Sequence, residues 1–334
     1  MSRQRTGKGK STVFMFCFIV IAAFVLTGTA RSEYPERNIT IMVGMEAGGL
    51  TDIMTRALVV GASRVLKQPI IIENRGGGGG SIAAGVVAAA SPDGYTLAAI
   101  QNNTVVDFAL MNKVPFKPLR SFTPITAFAW SEHSALLVGK DAPWKTFDEF
   151  IRYAKQNPGK IKWSVSGLGT GMHVAMEVVA KRDGIKWVAV PHKGGPGART
   201  ALLGKHVDAC SYGSDWPAFV PAQFDVLATH GKSRSPHSPN VPTLSEMGYD
   251  FISTAYHAIV GPAGLPADVV TRLEAAFRAG METPEFKTAR ERLYLSAVYY
   301  NGNDYKRSLE ERWVAMEKLF KEVGIIKEPA TQPY

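Results

Sequence analysis

Two hydrophobic rhythms alternate along this chain. Ile39 to Val43 is a short β-branched run, and beyond Gly48-Gly49 the apolar positions Ile53, Met54, Ala57, Leu58 and Val65 recur at helical spacing. The pattern predicts a buried strand, a glycine loop and a helix to Leu66. Thr51 is its expected N-cap, and Asp52 sits in the first turn, where a negative side chain is favoured beside unpaired N–H groups. A strand over 70–73, an alanine-rich helix over 81–90 and a strand over 95–100 follow, the last two joined by the turn SPDGY. Strand-helix-strand alternation implies parallel strands with helices on the sheet faces, so the predicted fold class is α/β.

Pro115, Pro118 and Pro124 interrupt the pattern, and apolar strands follow at 125–129 and 135–138. A crossing into a second lobe is placed near Gly139. After a helix over 147–155 and the turn NPGK, that lobe repeats the opening device: a strand over 161–165, the small-residue loop SGLGTG and a helix over 172–182. The device recurs in a strand over 187–190 and the loop PHKGGPG, whose Pro196 suits a first helical turn. Further strands are read at 207–211 and 226–229, and the chain recrosses near Ser253. The remainder reads mostly as helix, over 266–280, 284–293 and 304–323, packing against the first lobe. The expected organisation is therefore 31–138 with 253–334 as lobe 1, and 139–252 as lobe 2.

Glycines 76 to 80 precede the helix at Ser81. Gly78, Gly80 and Ala83 satisfy a dinucleotide spacing, but the strand ending at Ile100-Gln101 offers no acid for a ribose, which favours a tight entry to the helix over a nucleotide site. No GxSxG elbow, HExxH or GxxxxGK[ST] motif occurs, and the seven histidines show no metal-ligand spacing. A hydrolase using Ser166 and His173 is disfavoured because no acid is spaced to orient the histidine. What survives is a set of strand-end loops rich in Gly, Ser and Thr, at 48–52, 166–173 and 191–197. Ligands of open α/β sheets bind outside the carboxyl ends of strands, where helix N-termini present N–H donors. Two such lobes facing each other suit the clamping of one small anion, and donors without a charged nucleophile point to binding rather than turnover.

The first thirty residues stand apart from this pattern. Arg3, Arg5, Lys8 and Lys10 precede an apolar run from 13 to 26 and then Gly28-Thr29-Ala30, the form of a secretory signal peptide cut after Ala30. Its removal takes four of 38 basic residues and none of the 29 acidic ones, leaving 34 against 29, a balance of +5. That mild excess favours a small anion and is too small and scattered for nucleic acid. Cys17 goes with the signal, so Cys210 has no internal partner and is expected as a buried core thiol. Export without disulfides suits a bacterial periplasm.

Several ordered motifs carry a family resemblance: YPERNITIMVGMEAGGLTD at 34–52, QPIIIENRGGGGGSIAA at 68–84, NPGKIKWSVSGLGTGMH at 157–173 and VPHKGGPGARTALLGKHVD at 190–208. With SPDGYTLA at 91–98 and SPNVPTLSEMGYD at 238–250, they cover nearly the whole exported chain. It resembles the Bug family, the periplasmic solute-binding proteins of tripartite tricarboxylate transporters. The resemblance implies a two-lobed periplasmic binding protein fold of type II, a Venus flytrap with two crossover strands. It also implies a small mono-, di- or tricarboxylate ligand without cofactor, and integral membrane transporter subunits as partners. Carried over by position, the ligand contacts are Gly48, Gly49, Leu50, Thr51 and Asp52 in the first loop, and Ser166, Gly169, Thr170 and His173 in the second. His192, Lys193, Gly194 and Gly195 follow in the third loop, with Asn103, Thr104 and Asp215 completing the candidate set.

The chain departs from the family at Glu46-Ala47 and Leu50, where a Pro-Pro pair and a hydroxyl residue are common, and at His192, where tyrosine is usual. Glu46 would repel an anion if it pointed inward. Asp215, in YGSDW, either caps a helix or lines the site, where it would discourage a carboxylate or pair with an ammonium; an amino acid or aromatic acid therefore stays open as ligand. Tyr212 and Trp216 divide between pocket and core. An exported sensor component that presents the same closed form to a signalling receptor is the alternative reading.

Overall fold

The computed structural model describes residues 33–334 except 221 and 250, so the signal peptide and Cys17 lie outside the described residues. In chain order the first elements are β1 (Ile39–Val43), α1 (Leu50–Leu66), β2 (Ile70–Asn74), α2 (Ser81–Ala88) and β3 (Thr96–Gln101). Two short helices, α3 (Asn102–Val105) and α4 (Asp107–Met111), lead to β4 (Phe122–Ser131) and β5 (Ala135–Gly139). Next come α5 (Phe147–Gln156), β6 (Lys162–Val165), α6 (Gly171–Asp183), β7 (Val188–Pro191), α7 (Gly195–Leu203), β8 (Ala209–Tyr212) and β9 (Phe224–Thr229). The chain ends with β10 (Ala255–Pro262), α8 (Ala267–Met281), α9 (Pro284–Arg292), β11 (Tyr300–Asn301) and α10 (Gly302–Glu322).

The strands form two mixed sheets, a six-stranded one ordered β11-β4-β10-β3-β1-β2 and a five-stranded one ordered β7-β6-β8-β5-β9. β1 runs parallel to β2 and β3, and β6 runs parallel to β7 and β8, as the strand-helix-strand pattern predicts. In β1 the alternate residues Ile39, Ile41 and Val43 are fully buried, each worth about 1.5–3 kcal/mol of apolar burial. α5 is fixed by a reciprocal cap: the Glu149 N–H donates to Thr146 Oγ1, and the Thr146 N–H donates to the Glu149 carboxylate.

The chain changes sheet between Ser131 and Ala135, because β5 pairs with β8 and β9. The expected crossing near Gly139 puts these residues with the wrong sheet, since an apolar run carries no mark of which neighbours it will meet. The larger departure is β10. The sequence reading takes the chain beyond Ser253 as mostly helix, yet residues 255–262 form a strand between β3 and β4, antiparallel to both. It is buried from both faces, so its apolar residues do not alternate with polar ones.

Cys210 is fully buried in β8, and burial pushes its thiol up to about 12. Ellman's reagent is expected to leave it unmodified in the native protein and to titrate it after denaturation; rapid native reaction would contradict the packing.

Candidate functional site

Beyond β1 the chain turns through residues 44–49 into α1. The helix starts at Leu50 with Gly49 as an N-cap that offers no side chain, so Thr51 lies one residue inside rather than capping it. Asp52 orders the turn instead: it accepts from the Gly48 N–H, Arg56 Nε and Asn74 Nδ2, each at 2.9 Å. Burial raises its carboxyl, but these donors outweigh burial and hold it below the usual range. Asp52 is thus committed within its own lobe. The N–H groups of the first helical turn have no partner inside the helix, and its residues Leu50 and Thr51 line a cavity. Thr51 Oγ1 lies 3.1 Å from Nδ1 of the fully buried His257, which burial depresses to about 4, so the imidazole is neutral.

In the second lobe, Ser166 follows β6 and reaches the same cavity. Thr170 caps α6: its hydroxyl accepts the His173 N–H at 3.3 Å and donates to the Gly167 carbonyl at 2.8 Å. His173 accepts the Gly169 N–H at Nδ1, stacks on Trp163 at 5.8 Å between centroids, and is depressed to about 4 by burial. A neutral, stacked ring of this kind supports the loop. α7 starts at Gly195 behind Gly194, with Pro196 in its first turn.

These loops meet. Gly49, Leu50 and Thr51 from lobe 1 and Ser166, Gly195 and Tyr212 from lobe 2 surround one cavity of about 30 Å³. Met45, Gln101, Met172, Pro196, Gly213 and Asp215 complete its lining. That volume holds a water or two and no organic acid. A larger groove of about 790 Å³ adjoins it, with Gly48, Pro196, Tyr212 and Asp215 on its walls.

The lobes touch through backbone. The Glu46 N–H donates to the Lys193 carbonyl at 3.0 Å, and Glu46 Oε1 accepts the Gly197 N–H at 2.8 Å, seating a lobe 1 carboxylate on the N-terminus of α7. Glu46 therefore points at the other lobe and stays off the cavity lining. Gly79 and Gly169 both have left-handed φ, of 59° and 71°. A Cβ on Gly79 would strike the Leu168 carbonyl oxygen, and one on Gly169 would lie 2.6 Å from Phe108 Cα. The glycine run read as a helix entry is thus also an interlobe contact.

Of the candidates read from sequence, Gly49, Leu50, Thr51, Ser166, Gly195 and Asp215 line the cavity, and Gly48 lines the groove. Asp52, Gly169, Thr170 and His173 hold the loops that carry these residues. Thr104 donates to the Gly79 carbonyl at 2.7 Å, beside the buried Asn103. His192 and Gly194 lie against Glu46 and Gly197, and the exposed Lys193 contributes its carbonyl. Asp215 makes no side-chain cap; its carboxylate accepts from the Tyr212 hydroxyl at 3.3 Å. Trp216 is core, donating Nε1 to the His133 carbonyl at 2.7 Å. Gln101 was missed, although its place at the carboxyl end of a parallel strand is a usable signal. Met45 and Met172 carry no such mark.

A family model described as the tripartite tricarboxylate transporter family receptor matches residues 54–325. The chain belongs to that family. It is 33% identical over 296 residues to the UPF0065 protein in the gbd 5' region of Cupriavidus necator, covering 88% of this chain and 90% of the relative. Among solved structures it is similar to the periplasmic binding protein BugD, with 28% identity and a TM-score of 0.81 over 87% of this chain and 99% of that one. MatC of Rhodopseudomonas palustris with bound malate is similar at 26% identity and a TM-score of 0.79, covering 86% of this chain and 99% of that one. An R. palustris protein with adipate matches at the same identity and score, over 87% and 99%. Two lobes, each built on a mixed sheet, are the architecture this family of solute-binding receptors shares.

Proposed function

We propose that this chain is an exported periplasmic receptor that captures a small organic carboxylate between its lobes and delivers it to integral membrane transporter subunits, with no reaction catalysed. The observation that carries the reading is the meeting of strand-end loops from both sheets on one cavity. Leu50 and Thr51 at the start of α1, Gly195 at the start of α7, Ser166 and Gln101 line it, and helix starts with small polar neighbours suit an anion. The similar structures that hold malate and adipate support the ligand class. Closure of the two lobes would bring ligand contacts from both together, and a ligand that touches both lobes favours the closed form.

Among the described residues no helix is long and apolar enough to cross a membrane, which suits delivery to separate membrane subunits. Thermal shift of the purified protein against a panel of organic acids tests the reading. At least one acid is expected to raise the melting temperature in a concentration-dependent way. A flat response to the whole panel, confirmed by calorimetry on a ligand-stripped sample, would sink it.

A further inference from the structure

The cavity's donors and acceptors are unevenly placed. No lysine, arginine or histidine lines it, and its one carboxylate is Asp215. Asp215 lies on the wall shared by the cavity and the adjoining groove, where Arg199, Arg292 and Glu285 also stand. Its hydrogen-bond partner is the Tyr212 hydroxyl at 3.3 Å, and among the described residues no cation forms an ion pair with it. Arg199, whose field acts on Asp215, is stacked 3.8 Å over the Phe219 ring. Burial raises the Asp215 carboxyl to about 6 against its own backbone N–H, the Tyr212 hydroxyl and the field of Arg199, and still leaves it mostly ionised at neutral pH.

The second-lobe helix end nearest the cavity is already engaged. Pro196 has no N–H, and the Gly197 N–H is held by Glu46 Oε1 at 2.8 Å, which leaves Gly195 as the α7 donor at the cavity. The start of α1, with Leu50 and Thr51, carries no such competing carboxylate from the other lobe. One carboxylate of a ligand therefore has a place to sit at the start of α1, and a second one that reaches the opposite wall meets Asp215.

We infer that the site takes an acid with a single carboxylate and a second polar group that donates, a hydroxyl or an ammonium, with the carboxylate at the start of α1 and the donor on Asp215; it rejects dicarboxylates. This rests on the receptor reading above and narrows it. It also separates this chain from the similar structures that hold malate and adipate. A donor on Asp215 adds to the single side-chain hydrogen bond it accepts, whereas a carboxylate there places two negative charges side by side with no ion-pair partner between them.

The test is calorimetric titration at neutral pH with propionate, lactate, β-alanine, succinate and adipate, on the wild type and on Asp215→Asn. In the wild type, lactate or β-alanine is expected to bind about ten- to a hundredfold more tightly than propionate, the scale of one hydrogen bond to a charged group. Which of the two wins tells hydroxyl from ammonium. Succinate and adipate are expected to bind more weakly than propionate. Asp215→Asn should erase the preference for the donor and admit succinate, and Asp215→Ser serves if the amide variant misfolds. Wild-type binding of succinate or adipate as tight as that of lactate and β-alanine would overturn the inference and leave the receptor reading standing. A preference unchanged in both variants would do the same. Silence from every acid would overturn the receptor reading and the inference with it.

Discussion

Arg312→Ala is expected to destabilise the folded chain by about 3–5 kcal/mol, the cost of leaving a buried charge without its partner. Asp107 opens α4 and is fully buried; Arg312, on α10, approaches both its carboxylate oxygens with Nε and a terminal nitrogen. Such a fork is the strong form of an ion pair. Calorimetric melting should show a drop on the order of 10 °C. Burial pushes the Asp107 carboxyl up and Arg312 opposes it, so removing the guanidinium takes away the opposition. A carboxyl raised in the folded state binds protons more readily than in the unfolded chain, so its stability is greatest at low pH and is lost as pH rises through the folded value. The Arg312→Ala deficit should therefore shrink as pH is lowered from 8 towards 5. Replacing both partners with apolar residues should cost less than replacing Arg312 alone. A deficit below about 1 kcal/mol, with no pH dependence, would show that the pair is not desolvated in solution.

The second large effect is on binding. Gly79→Ala should leave the protein folded and weaken ligand binding by about five- to 150-fold. The left-handed φ of 59° costs an alanine roughly 1 kcal/mol wherever the loop keeps its shape, open or closed, so that part cancels from the binding equilibrium. The clash with the Leu168 carbonyl exists only when the lobes meet, and overpacking of this kind costs about 1–3 kcal/mol. Closure alone bears that cost, so it appears as lost affinity. Phe108 packs beside the same glycine, next to Asp107, so the ion pair also positions the wedge against which the second lobe closes. Titration with whichever acid stabilises the wild type measures the effect. Unchanged affinity in a folded Gly79→Ala variant would mean that ligand binding does not need this contact.

Local pattern carried the parallel halves of both sheets. β1, β2, β6 and β7 are short runs of apolar residues, and each is followed by a loop of small residues and a helix start that the backbone obeys. The loops at 48–52 and 166–171 were legible for the same reason, because a strand-to-helix junction needs small residues and a donor-rich helix end. β10 was not legible. A central strand buried on both faces shows neither alternation nor helical spacing, and its partners β3 and β4 lie more than a hundred residues upstream. Asp215 illustrates the same limit at one residue. Its neighbours suggest a helix cap as readily as a pocket wall, and only the fold brings it to a cavity beside Tyr212.

The sequence by itself determined the α/β class, the repeated strand-loop-helix device, the two-lobed family and the loops whose residues line the cavity. These follow from periodicity and loop chemistry, which act over a few residues. Only the tertiary structure decided which sheet β5 and β10 join and which loops touch across the lobes. It alone showed that Glu46 reaches over to cap α7 and that Gly79 and Gly169 are contact points. Those outcomes depend on atoms distant in sequence meeting within a few ångströms, where sterics and desolvation act and local pattern does not.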